Sequence, residues 1–106
     1  MATKPGEIYM IDLGIAGKVR PGLILSREDP RPPRDLILVA PLTTDYEGSE
    51  YEVPVGKPKF FRQESWVNLQ GIQSMRPAIL LRYLGRLDVA AMGRVREALR
   101  FTFQMD

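Results

Sequence analysis

The chain has 106 residues, of which 15 are basic and 13 acidic for a net charge of +2, and it contains neither cysteine nor histidine. Those two absences exclude a disulfide framework, a cysteine–histidine zinc site, a thiolate nucleophile and every imidazole acid or base. Any chemistry falls to carboxylates, hydroxyls, lysine, arginine, tyrosine or backbone groups.

The first seven residues lack the apolar core of a secretory signal, so a cytoplasmic location is expected. Glu7 to Leu13 mixes β-branched, aromatic and polar residues and predicts a first strand. Gly14 to Lys18 is a short connection rich in glycine, suited to a hairpin turn. Gly22 to Ser26 predicts a second strand that Pro21 opens. Arg27 to Arg34 holds three prolines and predicts a solvated surface loop. Leu36 to Leu42 is a nearly continuous apolar run, which predicts a strand buried on both faces. After a turn over Asp45 to Ser49, Glu50 to Val55 alternates polar and apolar residues as a half-exposed strand does. A break at Gly56 to Lys59 precedes a fifth strand over Ser65 to Gln70.

Arg76 to Leu80 suits a helical turn with proline near its start, and Arg82 to Leu87 a short last strand. The period then changes. Asp88 is a good N-cap for a helix from Val89 to Phe103, with Met92, Val95, Leu99 and Phe103 in one apolar stripe. Arg94, Arg96 and Arg100 fall away from that stripe or along its border. Gly93 costs this helix about 1 kcal/mol relative to alanine, so close packing is expected there. There is no internal repeat, and no apolar run approaches the ~20 residues of a membrane span. The reading is one α+β domain over 1–106, a small and strongly curved β-barrel closed by a C-terminal helix.

Two strand ends concentrate groups able to hold an anion. Lys18-Val19-Arg20-Pro21 leads into one apolar strand, and Pro41-Leu42-Thr43-Thr44 leaves another. Eleven of the fifteen basic residues are arginine, whose planar fork of donors matches phosphate oxygens. Arg20 reads equally well as a phosphate ligand and as half of a structural ion pair. Thr43 and Thr44 can donate to a phosphate or cap a turn. Ser65, Gln70, Gln73 and Ser74 add neutral groups suited to base edges in single-stranded RNA or to ordinary solvation of a sheet edge. Asp12, Asp45, Glu50, Glu52 and Glu64 are scattered, which disfavours a two-metal nuclease.

Five segments in chain order resemble the MazF/PemK family of toxin endoribonucleases. They are Gly6 to Leu13, Val19 to Ser26 with its Arg-Pro, Val39 to Thr44 with its Pro-x-Thr-Thr, Ser65 to Ile72, and Leu84-Gly85-Arg86-Leu87 before the helix. The resemblance covers nearly the whole chain. It implies an SH3-like barrel of about five to seven strands, a homodimer, a cognate antitoxin and metal-independent cleavage of single-stranded RNA, with no cofactor. In such cleavage the RNA's own 2′-hydroxyl attacks, leaving a 2′,3′-cyclic phosphate and a 5′-hydroxyl.

Carried over by motif, Arg20 and Thr43 are the catalytic residues. Arg20 stabilises developing charge and donates a proton to the leaving oxygen, while Thr43 holds a non-bridging oxygen. Lys18, Thr44, Ser65, Gln70 and Gln73 are the residues expected to contact substrate, and the proton acceptor is unassigned. Two features depart from the family. The first hairpin connection is short, and Gln73 stands where many members carry a basic residue, so slower or differently selective cleavage is expected. Two other functions fit a small barrel. One is a non-enzymatic toxin of the same fold that poisons DNA gyrase, but such relatives use a C-terminal tip bearing tryptophan, and the one tryptophan here is Trp66. The other is an RNA- or peptide-binding module without catalysis.

Overall fold

A computed structural model describes residues 2–12, 14 and 18–105. Its strands are β1 (Glu7–Asp12), β2 (Val19–Ile24), β3 (Ile37–Thr43), β4 (Glu52–Gly56), β5 (Ser65–Asn68), β6 (Gln73–Met75) and β7 (Leu80–Arg86), followed by the helix α1 (Val89–Phe103). Short 3-10 turns occupy Leu69–Gly71 and Pro77–Ile79. The strands form one antiparallel sheet in the order β4-β5-β3-β2-β1-β7, with β6 also bonded to β3. The connection between β1 and β2 falls largely on residues 13 and 15–17, outside the described residues.

The sheet turns on β3. One of its edges pairs with β2, and the other is shared by β6 along Ile37 to Val39 and by β5 along Leu42 and Thr43. The 3-10 turn between β5 and β6 therefore interrupts what would otherwise be one long partner strand. Gly71 makes the interruption possible, because a Cβ there would lie 2.7 Å from Cγ of Pro41 on β3.

β3 also feeds two hydrophobic clusters. Ala40 and Leu42 join Ile8, Leu23, Val53, Val67, Leu69, Leu87, Ala91, Met92 and Val95 beneath the helix. Ile37 and Val39 join Ile11 and Ile24 on the other side. Because β1 and β4, far apart in the strand order, share the larger cluster, the sheet must curl around it. The burial of β3 on both faces holds for its middle, whereas Leu38 is 44% exposed. A small α+β fold of curved sheet and terminal helix is the architecture.

The helix spans the residues its period implies. Asp88 caps it by accepting the backbone N–H of Ala91 at 2.8 Å, satisfying one of the four unpaired donors of the first turn. Ala91, Met92 and Val95 are buried, and Ala98 and Leu99 pack against the same cluster. Phe103 departs from the expected stripe and is 59% exposed, because the cluster ends at Leu99 and the last turn runs beyond it. Gly93 departs as well, with no atom within 4 Å of where its Cβ would stand. Close packing is therefore not its reason.

Strand boundaries shift by one to three residues from those expected. β2 begins at Val19, so Pro21 lies inside the strand rather than opening it. β5 stops at Asn68, whose side chain accepts the N–H of Gln70 and starts the 3-10 turn. β6 was not anticipated, since three residues reading Gln-Ser-Met show no alternation of apolar and polar.

Candidate active site

The site is a consequence of register. β2 and β3 pair through Ile24↔Val39, Leu23↔Ala40 and Gly22↔Pro41, and there the pairing ends. Continuing the same register by two residues would set Arg20 across from Thr43. Pro21 lacks the N–H that a ladder bond would need, and past Gly22 the two strands separate. What opens between them is a cleft of about 520 Å³ lined by Arg20, Pro21, Leu42, Thr43, Thr44 and Ser65, together with Asp45, Phe61, Arg62 and Gln63.

Inside this cleft Arg20 is exposed. Among the described residues one ion pair forms, between Lys4 and Glu28; the structural ion pair that was the alternative role for Arg20 does not. Its donors are available for an anion. Thr43 is half-buried at the end of β3, and its Oγ1 accepts the backbone N–H of Asp45 at 3.0 Å. The turn-capping role is thus real, and it does not compete with ligand binding. A hydroxyl that accepts in this way keeps its own hydrogen to donate.

The remaining expected residues divide. Thr44 lies in the cleft and is exposed, while Ser65 is buried at its floor and donates its hydroxyl to the Gln63 carbonyl at 3.2 Å. Ser65 thus props the Gln63 backbone and has no free hydrogen to offer. Gln73 lies on β6 opposite Val39 and shares with Arg20 the lining of a separate cavity of about 40 Å³, which Ile11, Pro41, Gly71 and Met75 also line. Lys18 and Gln70 are exposed and line neither space, so the structure does not gather them with Arg20 and Thr43. For Gln70 the reason is the 3-10 turn, which carries residue 70 out of the sheet.

Four lining residues were not anticipated. Asp45 follows the threonine pair directly and carries the one carboxylate in the lining; Phe61, Arg62 and Gln63 come from the segment before β5. That segment has no period, so only its proximity in space assigns it. Arg62 adds a second guanidinium, and two cations beside one carboxylate give the cleft a positive balance suited to phosphate.

Residues 4–103 match the model of a family described as the PemK-like, MazF-like toxin of type II toxin-antitoxin systems. The chain belongs to this family. Among curated MazF relatives it is 36% identical over 103 residues to endoribonuclease MazF3 of Mycobacterium tuberculosis, covering 97% of this chain and 95% of that one. It is 35% identical over 97 residues to the probable endoribonuclease MazF5 of the same organism, covering 89% and 86%. Among solved structures, the M. tuberculosis toxin MazF-mt6 superposes with a TM-score of 0.83 at 34% identity, covering 94% of this chain and 98% of that one. A mycobacterial endoribonuclease in complex with its cognate antitoxin gives 0.85 at 25% identity, with 99% and 98% covered. The resemblance read from five segments is therefore a family membership, and the MazF fold is the fold found here.

Proposed function

We propose that this MazF-family chain is an endoribonuclease toxin that cleaves single-stranded RNA through the substrate's own 2′-hydroxyl, with no metal ion, and that a cognate antitoxin restrains it. The observation that carries this reading is the cleft that Arg20 and Thr43 both line, where the Thr43 hydroxyl keeps a hydrogen to donate and Arg20 makes no ion pair among the described residues. Because RNA supplies the nucleophile, the protein has to position the strand and neutralise the charge that grows on phosphorus. Among the described residues no three acidic side chains cluster as a metal site would require.

In this mechanism a phosphate sits between Arg20 and Thr43, with Arg62 nearby. The Thr43 hydroxyl donates to one non-bridging oxygen, and the Arg20 guanidinium donates to the other and to the leaving oxygen. Asp45 is the one cleft residue with a carboxylate and takes the 2′-hydroxyl proton. The 2′-oxygen then bonds to phosphorus as the bond to the 5′-oxygen breaks. A proton from Arg20, replaced from solvent, completes the 5′-hydroxyl. Thr44 contributes a further hydroxyl, and Gln73 shares a small cavity with Arg20, separate from the cleft.

The assembly is proposed to be a homodimer. β7 ends the sheet order and exposes Leu81 and Tyr83, beside Tyr9 on β1 at 5.4 Å between ring centroids. An apolar edge strand of this kind is protected by pairing or coverage.

Incubating the purified chain with single-stranded RNA in EDTA and mapping the new ends tests the chemistry. Ends with 2′,3′-cyclic phosphate and 5′-hydroxyl are expected, and a folded Arg20→Ala protein should lose about 10²–10³ of the rate, the typical cost of removing one transition-state charge donor. Asp45→Asn should cost about 10²–10⁴, as loss of a general base does. Full-rate cleavage by either variant removes that residue from the mechanism; chelator-sensitive cleavage removes the metal-free reading.

A further inference from the structure

The row of residues that contains the cleft continues past it. Thr43 pairs with Trp66 on β5, and Trp66 pairs with Pro54 on β4. Directly opposed residues share a face of the sheet, so Thr43, Trp66 and Pro54 form one row across the outer surface, and the cleft that Arg20 and Thr43 line opens at its end. The neighbouring row, Leu42, Val67 and Val53, points into the core. On the outer row Tyr46 lies against Trp66 with the rings parallel to within 2° and their centroids 4.7 Å apart. Tyr46 is 50% exposed, so with one face on the indole it turns its other face to solvent.

The core does not explain this stack, since neither ring joins a hydrophobic cluster. Its placement follows from the site. The bond from the Asp45 N–H to Thr43 Oγ1 bends the chain immediately after β3, and that bend lays Tyr46 over Trp66. Farther along, Glu52 accepts the N–H groups of Glu47 and Ser49 at 3.0 Å and the Ser49 hydroxyl at 2.7 Å. The segment that carries Tyr46 is tied at both ends. Opposed side chains in a sheet stand about 4.5–5.5 Å apart at Cβ, which sets the aromatic surface one step from the phosphate ligand.

We propose that the Tyr46–Trp66 stack is a base-binding platform, on whose open Tyr46 face an unpaired base flanking the bound phosphate stacks. This deepens the nuclease reading and rests on it. Single-stranded nucleic acid is commonly held by a cationic track beside aromatic rings on which bases stack, and here the cleft lined by Arg20 and Arg62 adjoins the stack at Thr43. The platform fixes the register of the strand in the cleft, and preference among bases follows from how well each one stacks.

The test uses nucleotide strands of about twelve residues in which every 2′-hydroxyl is methylated, so the substrate nucleophile is blocked. Four homopolymers carry bases, and a fifth strand of equal length is abasic. Binding is followed by anisotropy of an end label. Tyr46→Ala should weaken the base-bearing strands about 5- to 150-fold, the range of a lost stacking contact, and leave the abasic strand unchanged. Tyr46→Phe should restore binding, because it keeps the ring. Arg20→Ala should weaken base-bearing and abasic strands alike, which reports on the phosphate site separately. Equal losses on both kinds of strand for Tyr46→Ala, or none on either, overturn the platform while leaving the phosphate site standing. Failure of every strand to bind the unaltered chain overturns both. Tyr46 is exposed and outside the clusters, so unchanged thermal melting is the expected control for its variants.

Discussion

At the scale of single residues, the informative atom is Thr43 Oγ1. It accepts from the Asp45 N–H and still has a hydrogen to give, so capping and substrate contact are two uses of one hydroxyl. Thr43→Ser keeps both and should cleave within about tenfold of the unaltered rate. Thr43→Val keeps the shape and loses both; cleavage should fall about 10²–10³-fold, the cost of one oxyanion donor. Single-turnover rates on one RNA separate these outcomes, and a Val variant as fast as the Ser variant removes the hydroxyl from the reaction. Arg20 is legible as a donor fork at a strand entrance, but its lack of an ion pair among the described residues is not. That depended on which carboxylates the fold brought near.

At the scale of elements, two segments make contrasting predictions. The segment after β3 is held by Glu52, whose carboxyl lies below the ordinary range because the Glu47 N–H, the Ser49 hydroxyl and the Ser49 N–H all donate to it. A folded value below the unfolded one stabilises the chain fully above the ordinary carboxylate range, and that stabilisation is lost as pH falls through the folded value. Glu52→Gln should therefore lower Tm near neutrality and change it little at acid pH, where the carboxyl is protonated in any case, so the acid limb of a plot of Tm against pH flattens. An unaltered acid limb rules out the latch. The second segment is α1. Open space surrounds Gly93, so Gly93→Ala should stabilise the chain by up to about 1 kcal/mol, raising Tm by roughly 4–8 °C for a domain of this size. A lower Tm means the open space has a use that the packing does not reveal.

The same elements show how far pattern reaches. The helix carried three independent signals, a cap, a period and a length, and all three are realised. β6 carried none and was missed. The apolar stripe was right for Met92, Val95 and Leu99 and wrong for Phe103, because a period tells which face a residue is on and not where the sheet beneath it ends. Pro21 was placed at the mouth of its strand on propensity; inside β2 it serves instead to end the pairing with β3, a role that requires knowing the partner strand.

At the scale of the whole molecule, the larger cluster draws on five strands and the helix, so its integrity is shared. Leu23 is fully buried in it, and Leu23→Ala should cost about 2–5 kcal/mol, read as a shift of the urea midpoint with an unchanged slope. A smaller loss would mean the curl collapses around the cavity. Loss of cleavage in such a variant should track the unfolded fraction, unlike Arg20→Ala, where the fold persists without activity.

The sequence by itself determined the class of the fold, the helix and its cap, the exclusion of thiol and imidazole chemistry, and the family to which the chain belongs. Each of these is written in local spacing or in composition, which survive without knowledge of partners. Only the tertiary structure decided that Arg20 has no ion-pair partner among the described residues, that Arg62 and Asp45 join it in the cleft, that Lys18 and Gln70 do not, and that Tyr46 lies on Trp66. Those facts depend on register between strands distant in the chain, and register is set by the collective burial of two clusters rather than by any short run of residues.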